Sequence, residues 1–417
     1  MKRKKSSFPT RGKGGFGNGV FLLNDFTYYA PTEVLFGRGA ETRAGEAVRR
    51  HGGSRVLVLY GGGSVIKSGL LARVEAALRE TGITAQSLGG VQPNPRLSFV
   101  REAVRRALDM KADFLLAVGG GSVIDTAKAA ALGAATPQRD VWDFWTRAAV
   151  PERSLPVGVV LTIPAAGSEM SDSAVLTNDA IMQKRGLSTD LNRPRFAAMN
   201  PALAETLPRY QLACGVTDIL MHTLERYFTP SQGNEMTDRI AESLLQTVLE
   251  YGPRVLADPA DYPAMSEIWW CGSLSHNGIT GLGGDKDFAT HQLGHELGAQ
   301  FDKAHGATLA AVWGSWARAV LPVGPARFAR YAERVWNIQE GTDGEKSRAA
   351  ISRTVEFFRS LGMPTSLPEL LGGPIPEEQL RALAHGCTYR GARTIGTFRV
   401  LGEEEIYAIY KAANETA

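Results

Sequence analysis

The sequence has little cysteine, no long apolar run and almost no net charge, and each shortage removes a class of protein. Its 3 cysteines, Cys214, Cys271 and Cys387, are odd in number, far apart and form no CxxC pair. That pattern supports neither a disulfide framework nor a thiolate zinc site. No stretch of roughly 18 apolar residues offers a membrane span. The formal net charge is +3, and Lys2, Arg3, Lys4, Lys5, Arg11 and Lys13 account for more than all of it. The rest is near neutral and lacks the basic face that nucleic acid requires. The same stretch, MKRKKSSFPTRGKGGFGNG, is rich in glycine and lysine without periodicity, so residues 1–20 are expected to form a disordered basic extension. Ser6, Ser7, Pro9 and Gly12 interrupt any apolar h-region, which argues against a signal peptide and for the cytoplasm.

What is present is an alternation of strands and helices over the first half. At 417 residues the chain exceeds one ordinary core, and two domains are expected. Strands are predicted at 55–60 (RVLVLY), 85–88, 114–118 and 157–163, with helices at 70–80, 98–109 and from about Val123. This spacing indicates βαβ units and a mainly parallel sheet covered on both faces. Past Pro208, strand signals thin out, and long Ala/Leu/Arg/Glu stretches at 239–256, 307–320, 345–361 and 377–385 predict a helical second domain. The boundary is placed near 205, giving an α/β domain over 21–205 and an α-helical domain over 206–417.

Two turns in the first half read as phosphate sites. In FLLAVGGGSVIDTAK, Gly119, Gly120 and Gly121 follow a strand and open a helix, so backbone and helix dipole can approach an anion. Ser122 can donate a hydroxyl, while Asp125 or Lys128 can fix the turn. The second turn, Gly61 to Ser64, follows RVLVLY without the carboxylate that would bind a ribose 2′-OH and reject a 2′-phosphate. Gly62, Gly63, Ser64 and Lys67 therefore favour NADP(H), with NAD(H) the alternative. A tight structural turn is the plainer explanation for either segment.

The second half carries a metal-binding pattern. Asp218 and His222, at i and i+4 in GVTDILMHTLERY, share a helix face. His291 and His305 lie in ATHQLGHELGAQFDKAHGATLA. Of 7 histidines, four fall in these two segments, which outweighs the reading of each as a packed side chain. One carboxylate and three neutral imidazoles suit one divalent ion, Fe²⁺ or Zn²⁺.

These segments together are similar to the iron-containing (group III) alcohol dehydrogenase family, close to its NADPH-dependent butanol dehydrogenase and aldehyde reductase branch. The resemblance rests on YGGGSVIKSG, PNPR at 93–96, VGGGSVIDTAKAAA at 118–131, LTIPAAGSEMS at 161–171, GVTDILMHTLERY at 215–227 and DFATHQLGHELGA at 287–299, in family order. It implies metal ligands at Asp218, His222, His291 and His305, a diphosphate loop at Gly119–Ser122 and an adenosine-side turn at Gly62, Gly63 and Ser64. It also implies cofactor contacts at Asn94, Thr162, Ser168 and Lys184. The fold implied is dehydroquinate synthase-like, with a small aldehyde or alcohol as substrate and a homodimer formed through the strand region at 26–36. The basic extension has no counterpart in the family, and the pocket loops over 269–287 vary within it.

His291 is thereby both ligand and catalytic residue. His295, at i+4 from His291, is the expected proton relay beside the metal, and His276 is a candidate pocket residue or a packed histidine. Three rivals remain. An NAD-dependent polyol dehydrogenase of the glycerol type is the nearer rival, and substrate profiling separates it. A sugar-phosphate cyclase of the dehydroquinate synthase type would need a Lys/Arg cluster around the metal, whereas only Lys286 and Lys303 are near in sequence. A catalytically silent nucleotide-binding scaffold would retain a costly buried polar cluster for nothing.

Overall fold

Short apolar runs punctuated by glycine build the first half of the molecule, described here from a computed structural model over residues 24–165, 167–231 and 234–415. The expected disorder of residues 1–20 lies outside the described residues. Among them, eight strands occur: β1 (Glu33–Phe36), β2 (Arg55–Tyr60), β3 (Thr84–Gly89), β4 (Phe114–Gly119), β5 (Val157–Leu161), β6 (Ser173–Asn178), β7 (Gln183–Ser188) and β8 (Phe196–Met199). Six form a sheet in the order β1-β8-β5-β4-β2-β3, and every pairing in it is parallel. β4 is buried along its whole length; Leu115 and Ala117 enter one apolar core while Phe114, Leu116 and Val118 enter another. A central strand of this kind reads as a continuous hydrophobic run because both faces are covered.

The order of the strands places the two glycine turns together. After β2 the chain adds β3 on one side and then returns to the other side as β4. Such a reversal opens a crevice at the carboxyl ends of the two strands. Tyr60 is in register with Val118, so Gly61–Ser64 and Gly119–Ser122 leave the sheet side by side.

The second half is helical. Its helices span Arg209–Tyr227, Glu235–Ala257, Tyr262–His276, Ala289–Phe301, His305–Val320, Pro325–Val335, Asp343–Ser360, Glu377–Cys387 and Glu403–Ala413, besides shorter turns. Trp269, Trp313 and Trp316 are fully buried among them. Thr342 and Glu345 close a reciprocal capping box at the start of Asp343–Ser360, a local signal legible in the sequence.

Several expectations are corrected. The helix after β4 begins at Gly121, two residues before Val123, and β5 stops at Leu161. The antiparallel β6–β7 hairpin and β8 are additional to the predicted strands. Of the strand region at 26–36, only Glu33–Phe36 is a strand, because only there does β8 supply partners. The segment 269–287, expected as loop, is helical through His276. Among the described residues no helix is long and apolar enough to cross a membrane.

Candidate active site

Three helices of the second half deliver the histidine and aspartate side chains to one point. Asp218 and His222 project from Arg209–Tyr227, His291 from Ala289–Phe301, and His305 opens His305–Val320. Gly306 and Gly215 permit this convergence. A Cβ on Gly306 would stand 2.2 Å from the Cys214 carbonyl oxygen, and one on Gly215 would stand 2.1 Å from that of Pro164. The first helix is thus in backbone contact with the third on one side and with the segment following β5 on the other.

One ligand atom from each of the four residues falls within 4.8 Å of all the others. Asp218 Oδ1 lies 3.5 Å from His222 Nε2, 3.9 Å from His291 Nε2 and 3.6 Å from His305 Nε2, and the Nε2 atoms of His222 and His291 are 3.2 Å apart. Donors about 2.0–2.1 Å from a tetrahedral metal stand roughly 3.3–3.4 Å from one another, so this spacing fits. Asp218 Oδ1 is buried without a hydrogen-bond donor. Burial pushes the Asp218 carboxyl up to about 7 and holds all three imidazoles well below their ordinary range, hence neutral with a lone pair to give. A divalent cation matches every one of these features and would draw the carboxyl back down.

Glu225 stands behind His291. It is fully buried, its Oε2 contacts His291 Nδ1, and its Oε1 accepts the His291 backbone N–H at 3.1 Å. A carboxylate that accepts a hydrogen bond from the Nδ1–H turns Nε2 toward the metal and raises its basicity. Glu225→Gln is therefore expected to weaken metal binding about 10–100-fold, measured by competition with a metal-indicator dye. Wild-type affinity in that variant would show that His291 orients itself without help.

The quartet lines a cleft of about 1030 Å³ that also takes in both glycine turns. From the first half come Gly62, Ser64, Asn94, Gly119, Gly120, Gly121, Ser122, Asp125, Thr162, Ser168 and Lys184. A Cβ at Gly62 or Gly121 would meet nothing within 4 Å, which leaves the backbone there open to a ligand. Gly63 and Lys67 are not among the lining residues; the Lys67 chain lies beside Gly63, its Cε 3.7 Å from where a Cβ would be. Asn94 and Lys184, distant in sequence, are joined by a 2.9 Å hydrogen bond, and Asn94 also donates to Asp302 of the helical half at 3.0 Å. Asp125 accepts from the Ser168 hydroxyl at 2.6 Å and from the Val175 N–H at 2.8 Å. Lys128 is buried and donates to Ser168, Ser171 and Ser173, so it braces the cleft wall instead of facing it.

His295 lines the cleft with its ring 5.4 Å from that of His305 and 6.3 Å from that of His291. His276 also lines it, stacked on His222 at 4.1 Å. The expected shortage of basic side chains is corrected: Lys184, Arg226, Lys286, Lys303 and Arg393 all line the same cleft. They converge from five separate segments, which no local motif announces. Glu225, by contrast, was within reach of the sequence, because Asp218, His222 and Glu225 at i, i+4 and i+7 share one helix face.

Known proteins resemble the chain over nearly its whole length. The family model for iron-containing alcohol dehydrogenase matches residues 31–201, and that for the C-terminal region of the Fe-containing alcohol dehydrogenase family matches 212–414. The chain is similar to the probable NADH-dependent butanol dehydrogenase 1 of Bacillus subtilis, 38% identical over 393 residues, 94% of this chain and 100% of that one. It is also similar to the NADPH-dependent aldehyde reductase YqhD of Escherichia coli, 39% identical over 373 residues, 88% of this chain and 95% of that one. Among solved structures it matches the NADH-dependent butanol dehydrogenase A of Thermotoga maritima with a TM-score of 0.90 and 35% identity, over 94% of this chain and 99% of that one.

Proposed function

The chain belongs to the iron-containing alcohol dehydrogenase family and is an alcohol/aldehyde oxidoreductase, and we propose that it passes hydride between NADP(H) and a short- or medium-chain primary alcohol or aldehyde. The observation that carries the proposal is a single cleft shared by two phosphate-type glycine turns and the Asp218, His222, His291 and His305 quartet. Residues 21–205 serve as the nucleotide domain and 206–417 as the metal and substrate domain. Iron or zinc held by the quartet would supply Lewis acidity at the substrate oxygen.

The remaining roles fall to the chain itself. Gly119–Ser122 and the helix they open offer backbone N–H groups to a diphosphate. The turn at Gly61–Ser64 carries no carboxylate, and Lys67 lies beside it, which favours a 2′-phosphate over a bare ribose hydroxyl. His295, buried and held neutral by its surroundings, can accept a proton on one ring nitrogen as it gives one from the other, and we assign it the relay. His276 shapes the substrate pocket beside His222. Strand β1 at the rim of the sheet suits the family's homodimer contact.

Following the near-ultraviolet absorbance of reduced nicotinamide with a medium-chain aldehyde tests the reading. NADPH is expected to be consumed faster than NADH, the activity to vanish on chelation, and Fe²⁺ or Zn²⁺ to restore it. Faster turnover with NADH would overturn the role given to Gly61–Lys67 while leaving the reaction intact.

A further inference from the structure

Two cations facing the cleft have no anion paired with them among the described residues. Arg226 is buried on the last turn of Arg209–Tyr227; its Nη1 donates to the His222 carbonyl oxygen at 2.7 Å, and its Nε has no acceptor. Its guanidinium lies over the Phe288 ring at 4.8 Å. Its sequence neighbour Glu225 is turned to His291 instead. Arg226 Nη1 also lies 3.3 Å from His222 Nδ1. Metal binding through Nε2 keeps the proton on Nδ1, which leaves the carbonyl oxygen as that guanidinium's acceptor.

Lys286 lines the same cleft two residues before Phe288, and its ammonium makes no hydrogen bond or ion pair. Its place is fixed by Asp287. That carboxylate accepts the N–H groups of Thr397 at 2.7 Å, Phe398 at 2.8 Å and Ala289 at 3.1 Å, while the Asp287 N–H donates to the Glu225 carbonyl at 2.9 Å. The charges of Arg226, Asp172 and Arg193 all act on Lys286. Arg193 divides its charge between Asp172 at 4.0 Å and the exposed Asp190 at 3.0 Å, and neither carboxylate pairs with Lys286 or Arg226. The cleft wall around its ammonium and the neighbouring Arg226 lower the Lys286 pKa from its ordinary range, although the residue as a whole is exposed. For the buried Arg226 such uncompensated charge is costly unless a ligand brings the counter-charge, and the exposed Lys286 stands at the same cleft to share that ligand.

We propose that Arg226 and Lys286 form a subsite for an anionic group on the substrate, so that the preferred aldehydes and alcohols carry a carboxylate remote from the reacting carbon. The subsite adjoins His222 through Arg226, which places the anion beside the metal quartet on the helical wall. The inference rests on the alcohol/aldehyde reading above and names its substrate class.

The test compares kcat/KM for pentanal and glutarate semialdehyde, which differ by a terminal methyl against a carboxylate, in metal-loaded wild type, Lys286→Gln and Lys286→Glu. The semialdehyde is expected to win by about tenfold or more in wild type, the scale of one hydrogen bond to a charged group. Lys286→Gln should lower that ratio about tenfold, mainly by raising KM for the semialdehyde, and Lys286→Glu should lower it further. Glutarate should compete with pentanal, and its inhibition constant should rise in Lys286→Gln. Equal kcat/KM for both aldehydes in wild type, or a ratio indifferent to residue 286, overturns the subsite. A preference confined to a phosphate-bearing aldehyde overturns the carboxylate assignment. Consumption of neither aldehyde sinks the alcohol/aldehyde reading, and the subsite with it.

Discussion

His291→Ala is expected to release the metal and to stop turnover. Its Nε2 is 3.2 Å from His222 Nε2 and 3.9 Å from Asp218 Oδ1, so its removal deletes one of the four donors that would hold the ion. The loss of metal affinity should exceed about 100-fold, the upper end of what removal of an outer partner causes. The variant also loses the imidazole that faces Glu225, a fully buried carboxyl whose pKa burial already pushes up to about 8. A buried acceptor left without its donor costs about 1–3 kcal/mol, so the melting temperature should fall as well. Elemental analysis after dialysis, thermal unfolding and aldehyde turnover check the three effects. Stoichiometric metal in the variant would show that the quartet is not the binding site.

Gly306→Ala is expected to be nearly as damaging, although it adds one methyl group and removes nothing. Its Cβ would lie 2.2 Å from the Cys214 carbonyl oxygen and 2.8 Å from both the carbonyl carbon and Cα of that residue. These are backbone atoms in a helix, so the two helices must part, and overpacking of this kind costs about 1–3 kcal/mol or more. The contact lies one residue from His305 and four from Asp218, whose ligand atoms are 3.6 Å apart. Parting the helices stretches that distance, so metal affinity should fall together with stability. A variant with wild-type melting temperature and metal affinity would show that the crossing has slack.

Much of this site is legible in the sequence because its chemistry is local. The turns at Gly61–Ser64 and Gly119–Ser122 each sit between an apolar strand and a helix, and three of the four proposed ligands are histidines drawn from a small supply. The β6–β7 hairpin hid because Gln183, Lys184, Arg185 and Gly186 read as a polar loop, and β8 because FAAM is short and poor in β-branched residues. The helix at Tyr262–His276 hid because it is apolar on most sides and therefore lacks the one-sided periodicity of a surface helix. The cationic pair was illegible for a different reason. Arg226 lies in the last turn of one helix and Lys286 precedes another, and only the folded chain shows that neither is paired with an anion among the described residues.

The parallel pairing of β1 with β8 also governs when the sheet can be completed. Glu33 aligns with Phe196, so the first strand must wait for a partner made about 160 residues later. A ribosome adding about 5–20 residues per second needs roughly 8–30 s to cover that span. Throughout that interval the nascent chain carries EVLF as an unpaired ribbon beside a growing apolar surface. Contacts so far apart in sequence fold slowly, and this edge is where a chaperone would have most to protect.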